Sequence, residues 1–169
     1  MIQKGFYLVL YGFFGWGLER VINLMYFGYW YENRVLYSFV QPMYGLGVVL
    51  TLIGYEVLRK KVKHSGILIG LTVLIGVGAT MVSEWISGVG YEALFGVLLW
   101  DYRLAFSLCT SPYVCIVPST LFGVLAAFTV VYLHPHIEVW VRWIPQSLKA
   151  AIIFLVALDM MITYLGVFL

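Results

Sequence analysis

The sequence predicts an all-α polytopic membrane protein, a bundle of about five transmembrane helices with one re-entrant or interfacial segment. Three observations carry this: 63% of the residues are hydrophobic, only 11% are charged, and the mean hydropathy is +0.96. A soluble domain carries about 25% charged and roughly 45–50% apolar residues. A 169-residue chain this apolar cannot cover its core with polar surface, so lipid is its solvent. The length suits a single transmembrane domain over 1–169 and leaves no room for a soluble nucleotide-binding or catalytic domain. A net charge of +2 is too small to point to nucleic acid.

The elements follow from the apolar runs, each span needing about 20 residues at roughly 1.5 Å per residue. The first run, 5–29, follows Lys4 and imitates a signal peptide, but no small-x-small cleavage pattern follows it, so it reads as a retained helix. The second, 43–58, is short; Pro42 separates it from 35–41, which reads as the re-entrant or interfacial piece. The third is 65–89. Residues 91–100 are apolar but too short to cross again, so they are placed at the interface, with Trp100 and Tyr102 as aromatic anchors. A sixth crossing there would invert everything after it. The fourth and fifth spans are 112–134 and 147–168.

Orientation follows from Lys and Arg. The segment Arg59-Lys60-Lys61-Val62-Lys63 holds four of the ten basic residues, and five crossings put it on the same side as Lys4, Arg142 and Lys149. The other side holds only Arg34 and Arg103, so the basic side and the N-terminus are expected in the cytoplasm and the C-terminus outside.

Charges inside spans are costly unless paired or wet, and four stand out: Glu19, Arg20, Glu84 and Asp159. Helix rise places Glu19 roughly 22 Å from Lys4 and Glu84 roughly 28 Å from Ser65, both in the outer half, with Asp159 about 15 Å beyond Lys149. Gly12, Gly15, Glu19 and Asn23 share one stripe, as do Gly76, Thr80, Glu84 and Gly88, so both glutamates are expected to face protein rather than lipid. Arg20 is expected to snorkel outward or to pair with an acid of another helix. The outer loops add Glu32, Asn33, Arg34, Asp101 and Arg103. The expected result is a polar pocket open to the outside, against the alternative of a network that only fixes helix register.

Weaker signals have plainer readings. Cys109 and Cys115 lack metal-ligand spacing and read as small apolar residues near a helix start, with a disulfide as the alternative if both lie outside. His134-Pro135-His136 reads as an interfacial cap at the end of the fourth span rather than a metal site. Ser119 and Thr120 beside Pro118 read as repairing hydrogen bonds at a helix kink. Interfacial belts account for most of the thirteen Tyr and six Trp. No phosphate-binding glycine loop, catalytic triad or zinc signature occurs, and no cofactor is expected.

At these residues the chain resembles a known family. Tyr11–Glu19 reads YGFFGWGLE and matches an aromatic-rich GW-x-x-E opening. Asn33-Arg34 matches a short NR signature, Pro42–Gly47 a P-x-YG-x-G element, and Glu84 with Trp100-Asp101-Tyr102 an acid followed by WDY. The family is the one called "Putative ABC-transporter type IV", similar to CmpB-like permeases, and the resemblance runs from about Phe6 to His134. Where the family shows a Gly-Arg pair before a Cys, this chain has Pro112-Tyr113 before Val114-Cys115. The resemblance implies a permease-like role.

The expected function is therefore a transport-related membrane component. Its outward-facing substrate or ion site would be built from Glu19, Asn33, Arg34, Glu84, Trp100, Asp101 and Tyr102. The glutamates would carry a proton or cation, Arg34 would attract an anionic group, and Asp101 would orient it. Membrane lipids, a second copy, and a separate ATPase or other membrane subunit are the expected partners, with the Arg59–Lys63 segment as a docking surface. The alternatives are a membrane enzyme acting on a lipid or isoprenoid with Glu84 or Glu19 as general acid-base, and a structural or regulatory subunit.

Overall fold

Helix rather than strand forms wherever the apolar runs exceed a strand's length, and a computed structural model shows only helices and their connections among the described residues, 2–28, 36–105 and 107–165. They are α1 (Ile2–Phe27), α2 (Pro42–Leu58), α3 (Ser65–Phe95), the single turn α4 (Tyr102–Ala105), α5 (Ile116–Arg142) and α6 (Gln146–Leu165).

Three of these, α3, α5 and α6, are both long and apolar enough to cross a membrane. The protein is thus an integral membrane protein, although only three of the five expected spans meet both criteria. With 26 residues, α1 has the length, but Glu19, Arg20, four Gly and three Tyr hold its hydropathy down; α2 is apolar but has only 17 residues.

Boundaries differ from expectation in two places. Residues 91–95 continue α3 instead of lying apart at the interface, and the helix stops where Gly96 takes the left-handed conformation (φ 70°) and donates its N–H to the Glu92 carbonyl. The fourth span does not begin at 112 or end at 134: it runs from Ile116 straight through the His-Pro-His sequence to Arg142. Pro135 brings no N–H and its ring crowds the carbonyl four residues back. The helix absorbs this as a π turn over Thr129–Leu133, with the His134 N–H donating to Thr129 O. At 27 residues α5 is about 40 Å long, more than the hydrocarbon thickness of about 30 Å, and its far end carries the exposed Trp140 and Trp143.

The chain divides into two compact units. In the first (residues 1–45 and 144–169), α1 packs with α6, and Val9, Leu36, Val40 and Val156 form a small apolar core. The described part of the expected re-entrant piece, 36–41, is non-helical and packs inward, with Leu36, Val40 and Gln41 buried. Lipid offers no hydrogen bonds, so such backbone needs protein partners. It has them: Gln41 N–H donates to Gly12 O at 3.1 Å, and Tyr37 N–H and Ser38 N–H donate to the two Asp159 carboxylate oxygens at 3.1 and 2.5 Å.

The second unit, residues 46–143, is dominated by the pairing of α3 with α5. The face of α3 turned inward is Thr72, Gly76, Ala79, Thr80, Ser83, Glu84 and Gly88, which contains the predicted stripe. Leu74, Val82, Trp85 and Ile86 lie exposed on the other face, as lipid requires. The helices touch backbone to backbone where Gly76 meets Gly123: a Cβ on Gly76 would run into Gly123 O, and one on Gly123 would lie 2.5 Å from Val77 Cα. Gly76→Ala is therefore expected to cost about 1–3 kcal/mol of stability through overpacking. Gly78→Ala, where an added Cβ meets nothing within 4 Å, should be neutral. Thermal unfolding of both variants in lipid nanodiscs checks the contrast.

Candidate functional site

A polar cluster of the second unit sits where the connection between α3 and α5 meets the end of that helix pair. Glu84 projects from the buried face of α3 and is 3% exposed. Its two carboxylate oxygens each accept a hydroxyl: Tyr102 Oη donates to Oε1 at 2.8 Å and Ser119 Oγ to Oε2 at 2.6 Å. Both donors are neutral. One turn further along α3, Gly88 leaves room for Tyr113 and Trp100, since a Cβ there would fall 2.9 Å from the Tyr113 ring and 3.4 Å from Trp100. Trp100 Nε1–H donates to Tyr113 O at 3.1 Å, and the Tyr113 hydroxyl donates to Glu92. That bond favours the neutral phenol and raises the Tyr113 pKa above its ordinary value, with burial adding to the effect.

Asp101 and Arg103 are bound to each other. The guanidinium grips the carboxylate in fork geometry, Nε to Oδ1 at 2.9 Å and Nη2 to Oδ2 at 2.7 Å, and the Arg103 N–H adds a bond to Oδ1 at 2.9 Å. Arg103 thereby lowers the Asp101 pKa, and Asp101 raises that of Arg103. Across 84–115 three acids face one base, a net charge of −2, and that one base is held by Asp101.

The connection is closed by a disulfide between Cys109 and Cys115, with Cα atoms 5.2 Å apart. This overturns the reading of the two cysteines as small apolar fillers. The reading of Ser119 is also corrected. Pro118 lies in the first turn of α5, where a missing N–H costs nothing, so there is no kink to repair, and the Ser119 hydroxyl goes to Glu84 instead.

The other expected site residues are in the first unit or outside the described residues. Glu19 belongs to the first unit, where it accepts the Tyr44 hydroxyl at 3.1 Å, and Gly15 lets the Tyr44 side chain pass. Arg20 is neither snorkelled nor exposed: it is 1% accessible, with its guanidinium 5.3 Å from the centre of the Trp16 ring, a cation–π contact. Asn33, Arg34 and Glu32 lie outside the described residues. Among the described residues, no three His, Cys, Asp or Glu side chains stand together in a way that holds a metal ion.

Of the residues expected from the sequence, Glu84, Trp100, Asp101 and Tyr102 lie in or beside this cluster; Ser119, Tyr113 and Glu92 belong to it and were not expected there. For Tyr113, 21 residues from Glu92, the sequence carried no local signal of the bond. For Ser119, 35 residues from Glu84, no local signal exists.

The model of a family described as "Putative ABC-transporter type IV" matches residues 6–165, nearly the whole chain. No curated protein and no solved structure matches it.

The sign of the Asp101 shift fixes a pH response. A carboxylate whose folded pKa is depressed contributes order above its unfolded pKa and loses it as the pH falls through the folded value. Hydrogen exchange at the Arg103 amide is therefore expected to stay slow through neutral pH. The protection should be lost only below the ordinary carboxylate range, under about pH 4, and Asp101→Asn should weaken it above that pH.

Proposed function

This chain belongs to the family described as "Putative ABC-transporter type IV", and on that premise we propose that it is a permease-like membrane component whose ligand group is Glu84. The observation that carries the reading is the pairing of this carboxyl. It is buried between two membrane helices, its described hydrogen-bond partners are two neutral hydroxyls, and the nearby arginine is held by Asp101. A carboxyl group so placed in a membrane is expensive until a proton or a cation neutralises it. A transport site supplies one from the medium. Trp100, Asp101 and Tyr102 form the mouth of that site, and the net negative charge of 84–115 draws cations towards it.

This end of α3 faces outward in our reading. The basic segment at the other end of α3, Arg59 to Lys63, is exposed and marks the cytoplasmic side. A disulfide persists in an oxidising compartment, so Cys109–Cys115 independently favours the outside for 96–115. With α1 and α2 also crossing, the chain makes five spans, with the N-terminus in the cytoplasm and the C-terminus outside. A separate ATPase chain is the proposed partner, and the basic segment is the surface on which it would dock. A lipid- or isoprenoid-converting enzyme would need an acid and a base at one centre, whereas Glu84 has hydroxyl partners.

Infrared difference spectroscopy of the protein in nanodiscs tests the reading, with sodium ions, potassium ions and protons added in turn. A carboxyl band that responds in the wild type and is missing in Glu84→Gln is the expected result. A spectrum that is silent to all three, or identical in the variant, would remove Glu84 as the ligand group.

A further inference from the structure

We propose that the Cys109–Cys115 disulfide is the positioning clamp of the Glu84 site, and that reduction by a dithiol uncovers the carboxyl group. The inference rests on the reading of Glu84 as the ligand group only for its functional meaning; the geometry stands by itself. The two hydroxyl donors to Glu84 flank the segment that the disulfide closes: Tyr102 is bonded to it, and Ser119 stands in the first turn of the helix it leads into. Tyr102 is anchored through its N–H, which donates to Pro112 O at 3.1 Å. Ser119 is anchored through its N–H, which donates to Cys115 O at 3.0 Å, and Cys115 is the N-cap residue of α5. Trp100 is tied to the same segment, through Nε1–H to Tyr113 O. One covalent cross-link therefore fixes the loop backbone from which the two donors and one aromatic wall of the site are held.

Little else in the connection does this work. Among the described residues between Gly96 and Cys115 the only regular structure is the single turn α4. The Asp101–Arg103 pair is local, spanning two residues, and its arginine is half-exposed, so it contributes little. The Tyr113–Glu92 bond ties the segment to α3 at one point. Opening the cross-link returns conformational freedom to the loop, and residues 102 and 119 then lose their common reference.

The chemistry is thiol–disulfide exchange. A thiolate of the dithiol attacks Cys109 sulfur, the sulfur–sulfur bond breaks, and the Cys115 thiolate leaves and takes a proton. The second thiol of the reductant then attacks the mixed disulfide and releases the Cys109 thiol. Two electrons and two protons pass from the dithiol, which ends as its own disulfide, to the cysteine pair.

Labelling of carboxyl groups with a hydrophobic carbodiimide in nanodiscs, read at Glu84 by peptide mass spectrometry, tests the clamp. Little labelling of the oxidised protein is expected, since Glu84 is 3% exposed. A several-fold rise is expected after treatment with dithiothreitol, reversing on reoxidation. The paired variant Cys109→Ala with Cys115→Ala should show the raised level without reductant. Glu138, at the far end of α5, is the internal control and should not change. Equal labelling of Glu84 in the oxidised and reduced wild type would overturn the clamp, as would a parallel rise at Glu138, which would mean general unfolding. The labelling needs no cation, so a failed clamp leaves the infrared test of Glu84 standing, and a silent infrared spectrum leaves the clamp standing.

Discussion

The interaction on which the second unit turns is the buried Glu84 carboxylate held between the Tyr102 and Ser119 hydroxyls. An ionisable group between two membrane helices has no water to satisfy it, so its lone pairs must find donors within the protein. Those donors come from two places, the connection over the helix ends and the first turn of α5. Glu84 thus joins α3, α5 and the cap in one set of bonds, and the small residues around it let the pieces come close enough to make them.

The same device recurs in the first unit. Asp159, inside α6, accepts the backbone N–H groups of Tyr37 and Ser38, and Glu19, inside α1, accepts the hydroxyl of Tyr44 at the start of α2. In each case an acid within a helix takes a donor from a connection or from a helix start. These acids are structural ties before they are anything else. Glu84 differs in degree of enclosure: it is 3% exposed, and the cap above it carries its own covalent lock.

Much of this was legible in the chain. Hydropathy runs located every long helix, because burial in lipid leaves a continuous apolar signal. The four-residue spacing of Gly76, Thr80, Glu84 and Gly88 located the buried face of α3, because a single helix writes its own periodicity into sequence. What stayed hidden was pairing between segments: Ser119 with Glu84, Asp159 with Ser38 across 121 residues, and the cysteine bridge. The run through His134-Pro135-His136 failed for another reason. Proline ordinarily marks a boundary, and only the π turn at Thr129–Leu133 lets α5 continue past it.

A double-mutant cycle tests the central claim most directly. Tyr102→Phe and Ser119→Ala are each made in the wild type and in Glu84→Leu, and thermal unfolding is followed in nanodiscs. If both hydroxyls serve Glu84, each removal costs about 1 kcal/mol in the wild type and close to nothing once the carboxylate is gone. Equal losses in the two backgrounds would show that the hydroxyls act independently of Glu84, and would contradict the account.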